Sequence, residues 1–209
     1  MSKAFIYSLF FLVVAGSCAV EYVGARALGR LPASKQNWIF LALAVACVPA
    51  VVLFRGSLWT TDCLVLAAAL CVGVLLSRMV RSAETLVAFL VAGAAADIVS
   101  VYTGPTHWLV AQIERGGTAA MQLWAICIRV RGVPVPVIGV GDLLFFAFSA
   151  TVMRRLDWPE APVFLVPLAA YLLALGVALA TGFIPVLPWL AAGVILYAFA
   201  THRTQPKPG

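Results

Sequence analysis

Two aspartates stand where carboxylates are rarely found. Asp142 follows Ile138-Gly139-Val140-Gly141 and precedes Leu143-Leu144-Phe145-Phe146, and Asp97 lies between Val91-Ala92-Gly93-Ala94-Ala95-Ala96 and Ile98-Val99-Ser100-Val101-Tyr102. The chain has two other aspartates, Asp62 and Asp157. An acid inside a hydrocarbon-spanning segment is costly and by default marks a functional site. Gly139 and Gly141 carry no Cβ, so other backbone is expected to come close beside Asp142. Two carboxyls crowded at low dielectric cannot both stay ionised, and one proton is shared across the pair. The ionised member then takes a proton from a water held between them, while the protonated member polarises a carbonyl. That chemistry is amide hydrolysis by paired aspartates, with no Ser or Cys nucleophile. It needs a water-accessible site and an unwound substrate, because a helical peptide hides its scissile carbonyl.

The elements that hold these acids belong to a membrane. Of 209 residues, 64% are hydrophobic and 11% charged, with a mean hydropathy of +1.05. A soluble domain carries about 25% charged residues. The expected fold class is an all-α polytopic membrane protein, because backbone polar groups in lipid must be satisfied within the segment. Seven apolar segments occur, at about 4–24, 37–54, 58–77, 83–104, 138–154, 161–181 and 184–201. Most approach the roughly 20 residues that cross a bilayer. The first resembles a signal peptide in having Lys3, an apolar core and Ala15-Gly16-Ser17-Cys18, but it runs on to Glu21 and Tyr22 and reads as a retained span. The expected organisation is three N-terminal spans over 1–82, a core carrying both acids over 83–201, and a frayed tail over 202–209.

The net charge of +6 is no nucleic-acid footprint, because the 14 Lys and Arg are scattered over the connections. Taking the N-terminus as side A, that side holds Lys3, Arg55, Arg115, Arg129 and Arg131. Side B holds Arg26, Arg30, Lys35, Arg78, Arg81, Arg154, Arg155, Arg203 and Lys207. The excess predicts that side B and the C-terminus face the cytoplasm. Trp38, Trp59, Trp108, Trp158 and Trp189 fall near segment ends, as an interfacial aromatic belt does. The five cysteines include no CxxC and no Cys/His cluster, so neither metal nor cofactor is expected, and their plain role is buried packing.

One connection is long, from about 105 to 137. Leu123 to Val130 is rich in strand-favouring residues, Arg131-Gly132 makes a turn, and Val133-Pro134-Val135-Pro136-Val137 follows. Because proline cannot donate to a ladder, this second arm is predicted as an edge strand. An interfacial helix from Trp108 to Val130 is the competing reading. The long loop joins the ends of segments four and five, so both acids lie in the side-A half of the membrane. Asp97 is on the order of 10 Å deep and Asp142 about one turn in. Pro185-Val186-Leu187-Pro188 opens segment seven from the same side.

At these residues the chain resembles the presenilin and signal peptide peptidase family of GxGD intramembrane aspartyl proteases. Gly139-Val140-Gly141-Asp142 matches the GxGD segment, Asp97-Ile98-Val99-Ser100-Val101-Tyr102 resembles the helix of the first catalytic aspartate, and Pro185-Val186-Leu187-Pro188 resembles the PAL motif. The likeness covers roughly residues 83 to 201. It implies catalytic roles for Asp97 and Asp142 and substrate-binding roles for Gly139, Gly141, Pro185, Val186 and Leu187. It also implies transmembrane or signal-peptide substrates whose N-terminus is cytoplasmic. The departures are Ala96 where the family usually has Tyr, Val186 in place of the PAL alanine, and seven spans where nine are usual.

Other readings keep the same acids. A proton- or cation-coupled transporter or channel would bind its ion there. A prepilin-peptidase-like enzyme also uses a GxGD aspartate, although it typically carries a lysine soon after the motif, where this chain has Leu143, Leu144 and Phe145. A scaffold that keeps the motif without activity is a fourth. Partner expectations are the substrate peptide, the lipid bilayer and a homo-oligomeric copy of the chain, with no nucleic acid. Glu21 and Asp62 read as interfacial carboxylates, His107 as a surface-loop residue, and Ser100 and Tyr102 as hydrogen-bonding neighbours of the acids.

Overall fold

The computed structural model describes residues 3–28, 33–54, 57–104, 106–108, 111, 124–182 and 184–202. The first part of the long connection, 112–123 with Arg115, lies outside the described residues, as does the tail from Arg203 to Gly209. Among the described residues, α1 (Lys3–Leu28), α2 (Ala33–Leu53), α3 (Leu58–Ser77) and α4 (Ala83–Tyr102) precede a hairpin of β1 (Ala125–Val130) and β2 (Val133–Gly139). Then come α5 (Val140–Arg155), α6 (Glu160–Thr181) and α7 (Leu187–His202).

Each apolar segment read from the sequence is helical. Four helices, Phe5–Leu28, Leu58–Ser77, Ala83–Trp108 and Glu160–Thr181, are long and apolar enough to cross a membrane. The apolar runs of α2 and α7 are shorter, Trp38–Leu53 and Leu187–Thr201. The 16 residues of α5 reach about 24 Å, against a hydrocarbon core of about 30 Å. Leu12, Val45, Val91, Val99, Leu173 and Leu196 are exposed on the helix surfaces, an outward apolar face suited to lipid.

Helix α5 is the centre of the bundle. Every residue from Phe146 to Met153 is buried, the condition of a helix surrounded on all sides. Its hydroxyls are turned onto its own backbone: Ser149 Oγ donates to Phe145 O at 2.8 Å and Thr151 Oγ1 to Ala147 O at 2.7 Å. Helix α3 packs most closely on α5, and α1 and α6 flank it. The near approach of α3 depends on Gly73, where a Cβ would stand 2.5 Å from Leu144 O and 2.9 Å from Ala147 Cβ. Helix α4 packs chiefly on α7, which in turn packs on α6. Between α4 and α5 the contact is made by rings, with centroids of Phe89 and Phe148 5.6 Å apart. At Gly93 a Cβ would come 2.6 Å from the Phe145 ring, so this glycine admits it.

The long connection carries the hairpin, turning at Arg131 (φ 53) and Gly132 (φ 86). Two successive positive φ values are those of a type I′ turn, whose twist suits a two-residue hairpin. Cys127 pairs with Pro136 but gives its N–H to Asp62 Oδ1 at 3.1 Å, so this is a non-hydrogen-bonded pair of the ladder. Two residues on, Arg129 and Pro134 repeat the condition. Pro134 and Pro136 thus occupy the positions whose nitrogens face away from β1, where no ladder bond is lost. The inner arm packs on α3, with Ala125, Ile126 and Cys127 buried.

One expectation is corrected here. Asp62 is no mere interfacial residue; it fastens β1 to α3 through the Cys127 N–H. Trp158 lies just beyond the end of α5, and its ring stands 5.2 Å from that of Tyr197, joining the α5–α6 turn to α7. Trp38, Trp59 and Trp108 are exposed. Cys18, Cys47, Cys71 and Cys127 are buried, and Cys63 is exposed.

Burial and the adjacent Asp62 push the Cys127 thiol up to about 12. At pH 8 it is therefore protonated and resists alkylation. Asp62→Ala leaves the Cys127 N–H unpaired, a loss of about 1–3 kcal/mol. The expected result is faster maleimide labelling of Cys127, read peptide by peptide in a mass spectrometer; an unchanged rate removes the anchor role.

Candidate active site

Asp97 sits on α4 five positions before its last residue, Tyr102. Its Oδ2 accepts the Leu187 N–H at 2.9 Å, and the Val186 N–H also hydrogen-bonds to the carboxyl. These amides open α7, and the first N–H groups of a helix have no partner within it. Pro188, in the first turn, has no N–H to leave unsatisfied. Pro185, Val186 and Leu187 thus bring a helix N-terminus, with its partial positive charge, onto the acid.

Asp142 is the third residue of α5, and its Oδ2 accepts the Gly139 N–H at 3.2 Å. This is one half of a capping box, since Gly139 has no side chain to return the bond. A Cβ on Gly139 would lie 3.0 Å from Asp142 Oδ2, so the glycine keeps the carboxylate close to the backbone. Gly141 behaves otherwise. A Cβ there would meet nothing within 4 Å, so the close approach expected at both glycines occurs only at Gly139.

Tyr171 of α6 donates its hydroxyl to Asp142 O at 2.5 Å and is itself 3% exposed. It ties α6 to the first turn of α5, and the sequence reading missed it. The signal was a phenol in the middle of an apolar span, where a buried hydroxyl needs an acceptor.

Phe145, three residues after Asp142, packs at Gly93, one turn before Asp97, so the two acids lie at a similar level of adjoining helices. Three stretches distant in sequence therefore meet: the last third of α4, the β2–α5 junction and the start of α7. In each acid the carboxyl is held by backbone: Asp142 Oδ2 by the Gly139 N–H, Asp97 Oδ2 by the Leu187 N–H. Two carboxyls on adjoining helices supply the groups that a general base and a general acid require. Ser100 and Tyr102 do not join them. Ser100 Oγ pairs with Thr106 Oγ1 at 2.7 Å, Tyr102 is exposed, and so is His107.

Glu21 overturns its reading as an interfacial residue. Helix α1 continues to Leu28, about two turns further than the acid, so Glu21 lies within the helix. Its side chain is 0% exposed and, among the described residues, neither oxygen has a hydrogen-bond partner.

No family model, no curated protein and no solved structure matches this chain.

Proposed function

We propose that this protein is an intramembrane aspartyl protease of the GxGD type, similar to presenilin and signal peptide peptidase. Asp97 and Asp142 are its catalytic pair, and its substrates are transmembrane segments or signal peptides. The observation that carries the reading is the convergence of three segments on two acids: Asp97 held by the Leu187 N–H, Asp142 held by the Gly139 N–H, and Phe145 packed at Gly93 between them. An acid kept only as a helix cap needs no second acid beside it.

With both carboxyls held by backbone, the pair handles the water and the carbonyl. The ionised acid removes a proton from water as it attacks the peptide carbon, and the protonated acid donates to the carbonyl oxygen. Strand β2 runs straight into the first turn of α5, so an extended segment lying along it is delivered to Asp142. The seven helices are the spans. The short α5 fits this role because its neighbours, rather than lipid, surround it.

The test is incubation of the purified protein in detergent with a panel of signal-peptide-like substrates, with products mapped by mass spectrometry. A cut inside the apolar segment, blocked by a transition-state analogue, is the expected result. No cut in any substrate, together with Asp97-dependent proton or cation flux in liposomes, would replace the protease with a transporter.

A further inference from the structure

Helices α3 and α5 both begin beside the hairpin and finish together at the opposite end of the bundle. The two basic residues that close α5 part there. Arg154 turns to α1 and α6, lying 4.9 Å over the Tyr22 ring and donating from Nη2 to Glu160 Oε2 at 3.2 Å. Arg155 turns the other way, and its Nη1 donates to Ser77 O, the last residue of α3, at 2.8 Å. The same oxygen accepts the Val80 N–H at 3.2 Å, in the turn that carries Arg78 and Arg81 to the N-cap of α4, Ser82. Three guanidiniums from two distant stretches are thus gathered on one rim. Arg81 and Arg155 are exposed and Arg78 is half-buried. Cations near the last carbonyls of a helix are favoured, which accounts for Arg78 and Arg155. It does not account for Arg81, which stands before the positive end of α4. The acids of the adjoining turns, Glu84 and Asp157, are both exposed and do not match the three cations. Between Arg78 and Arg81, Met79 is 64% exposed, an apolar side chain at the level where the spans end.

We propose that Arg78, Arg81 and Arg155 form a binding site for the phosphate of an anionic phospholipid on the side-B rim of the bundle. Guanidinium donors match phosphate oxygens in pairs, and basic recesses between membrane helices hold acidic headgroups. Arg155 spends one donor on Ser77 O and is thereby fixed, with its other donors left for the rim. Met79 lies where the acyl chains of such a lipid begin. One headgroup held by the α3–α4 turn and by the end of α5 ties the two helices together from outside. Free phosphate shares the headgroup's chemistry and has no chain to rest on Met79. The site is independent of the protease reading.

Native mass spectrometry of the full chain in detergent, titrated with phosphatidylglycerol or phosphatidylcholine, tests the site without any substrate. The expected result is one tightly held copy of phosphatidylglycerol and none of phosphatidylcholine; equal retention of the two overturns the proposal. Arg81→Gln and Arg155→Gln are each expected to weaken phosphatidylglycerol about fivefold, the effect of one cation near an acidic lipid surface. Arg155→Gln also removes the bond to Ser77 O, so Arg81→Gln keeps the test sound if that variant unfolds. Arg129→Gln is the control, since it removes the same charge from the exposed face of the hairpin. It is expected to leave the affinity unchanged, and a loss equal to that of Arg81→Gln would show diffuse attraction and overturn the site. Inorganic phosphate at millimolar concentration is expected not to displace the lipid; displacement would make free phosphate the ligand and overturn the lipid assignment. Thermal unfolding of the wild type is expected to move upward with phosphatidylglycerol and that of Arg81→Gln to move less. Equal shifts in the two proteins would likewise overturn the site.

Discussion

Asp142→Asn and Asp97→Asn are each expected to lower cleavage of a transmembrane peptide by at least about 10³-fold, within the range general acid–base groups contribute. The amide is nearly isosteric with the acid. Its oxygen still accepts the Gly139 N–H at position 142, or the Leu187 N–H at position 97, so both caps survive and the variants remain folded. What is lost is the shared proton, because an amide neither stores nor releases one at neutral pH. Groups that act as a unit are strongly non-additive. The double variant should therefore be no slower than either single variant. Turnover retained in either single variant, measured beside an unchanged melting curve, would remove the pair from the chemistry.

The second large effect is structural and reaches the same site. Gly73→Val sets a branched side chain where even a Cβ would meet Leu144 O at 2.5 Å. That oxygen belongs to backbone and cannot swing aside, so α3 and α5 must separate. Overpacking of this kind destabilises by about 1–3 kcal/mol. Leu144 is two residues beyond Asp142, and the displacement is expected to take the acid with it. Thermal unfolding in detergent should shift downward, and cleavage should fall by more than the unfolded fraction explains. Gly176→Ala is the control, since a Cβ there meets nothing within 4 Å. It is expected to be neutral, or to stabilise α6 by up to about 1 kcal/mol. Equal behaviour of the two variants would refute the close-contact account.

Much of this was legible before the fold. The helices could be read because the bilayer imposes length and composition on each segment separately, a local requirement. Asp97 and Asp142 stood out for the same reason, as charge where lipid forbids it. The hairpin was readable from Arg131-Gly132 between two strand-like runs. What escaped was whatever depends on a neighbour from elsewhere in the chain. Gly73 lies in Leu70-Cys71-Val72-Gly73-Val74, and nothing there announces that α5 will press against it. Glu21 was misread because the apolar stretch thins after it, whereas the helix runs on through Arg26 to Leu28. Its burial depends on the helices packed on α1, which are α5, α6 and α3. Asp62 looked like any acid near a segment end until β1 arrived beside it. Gly141 carried the motif's expectation of close approach and met open space, since the motif records residue types and says nothing of which face is crowded.

The prolines of β2 have a consequence for encounters between molecules. With Pro134 and Pro136 turned away from β1, the outward rim of the hairpin displays carbonyl oxygens there and no amide hydrogen. Two such rims brought together would set oxygen against oxygen, so the hairpins of neighbouring molecules repel each other as strands. A foreign chain can attach only by supplying hydrogens of its own at alternate residues, and one with proline at those residues has none to give.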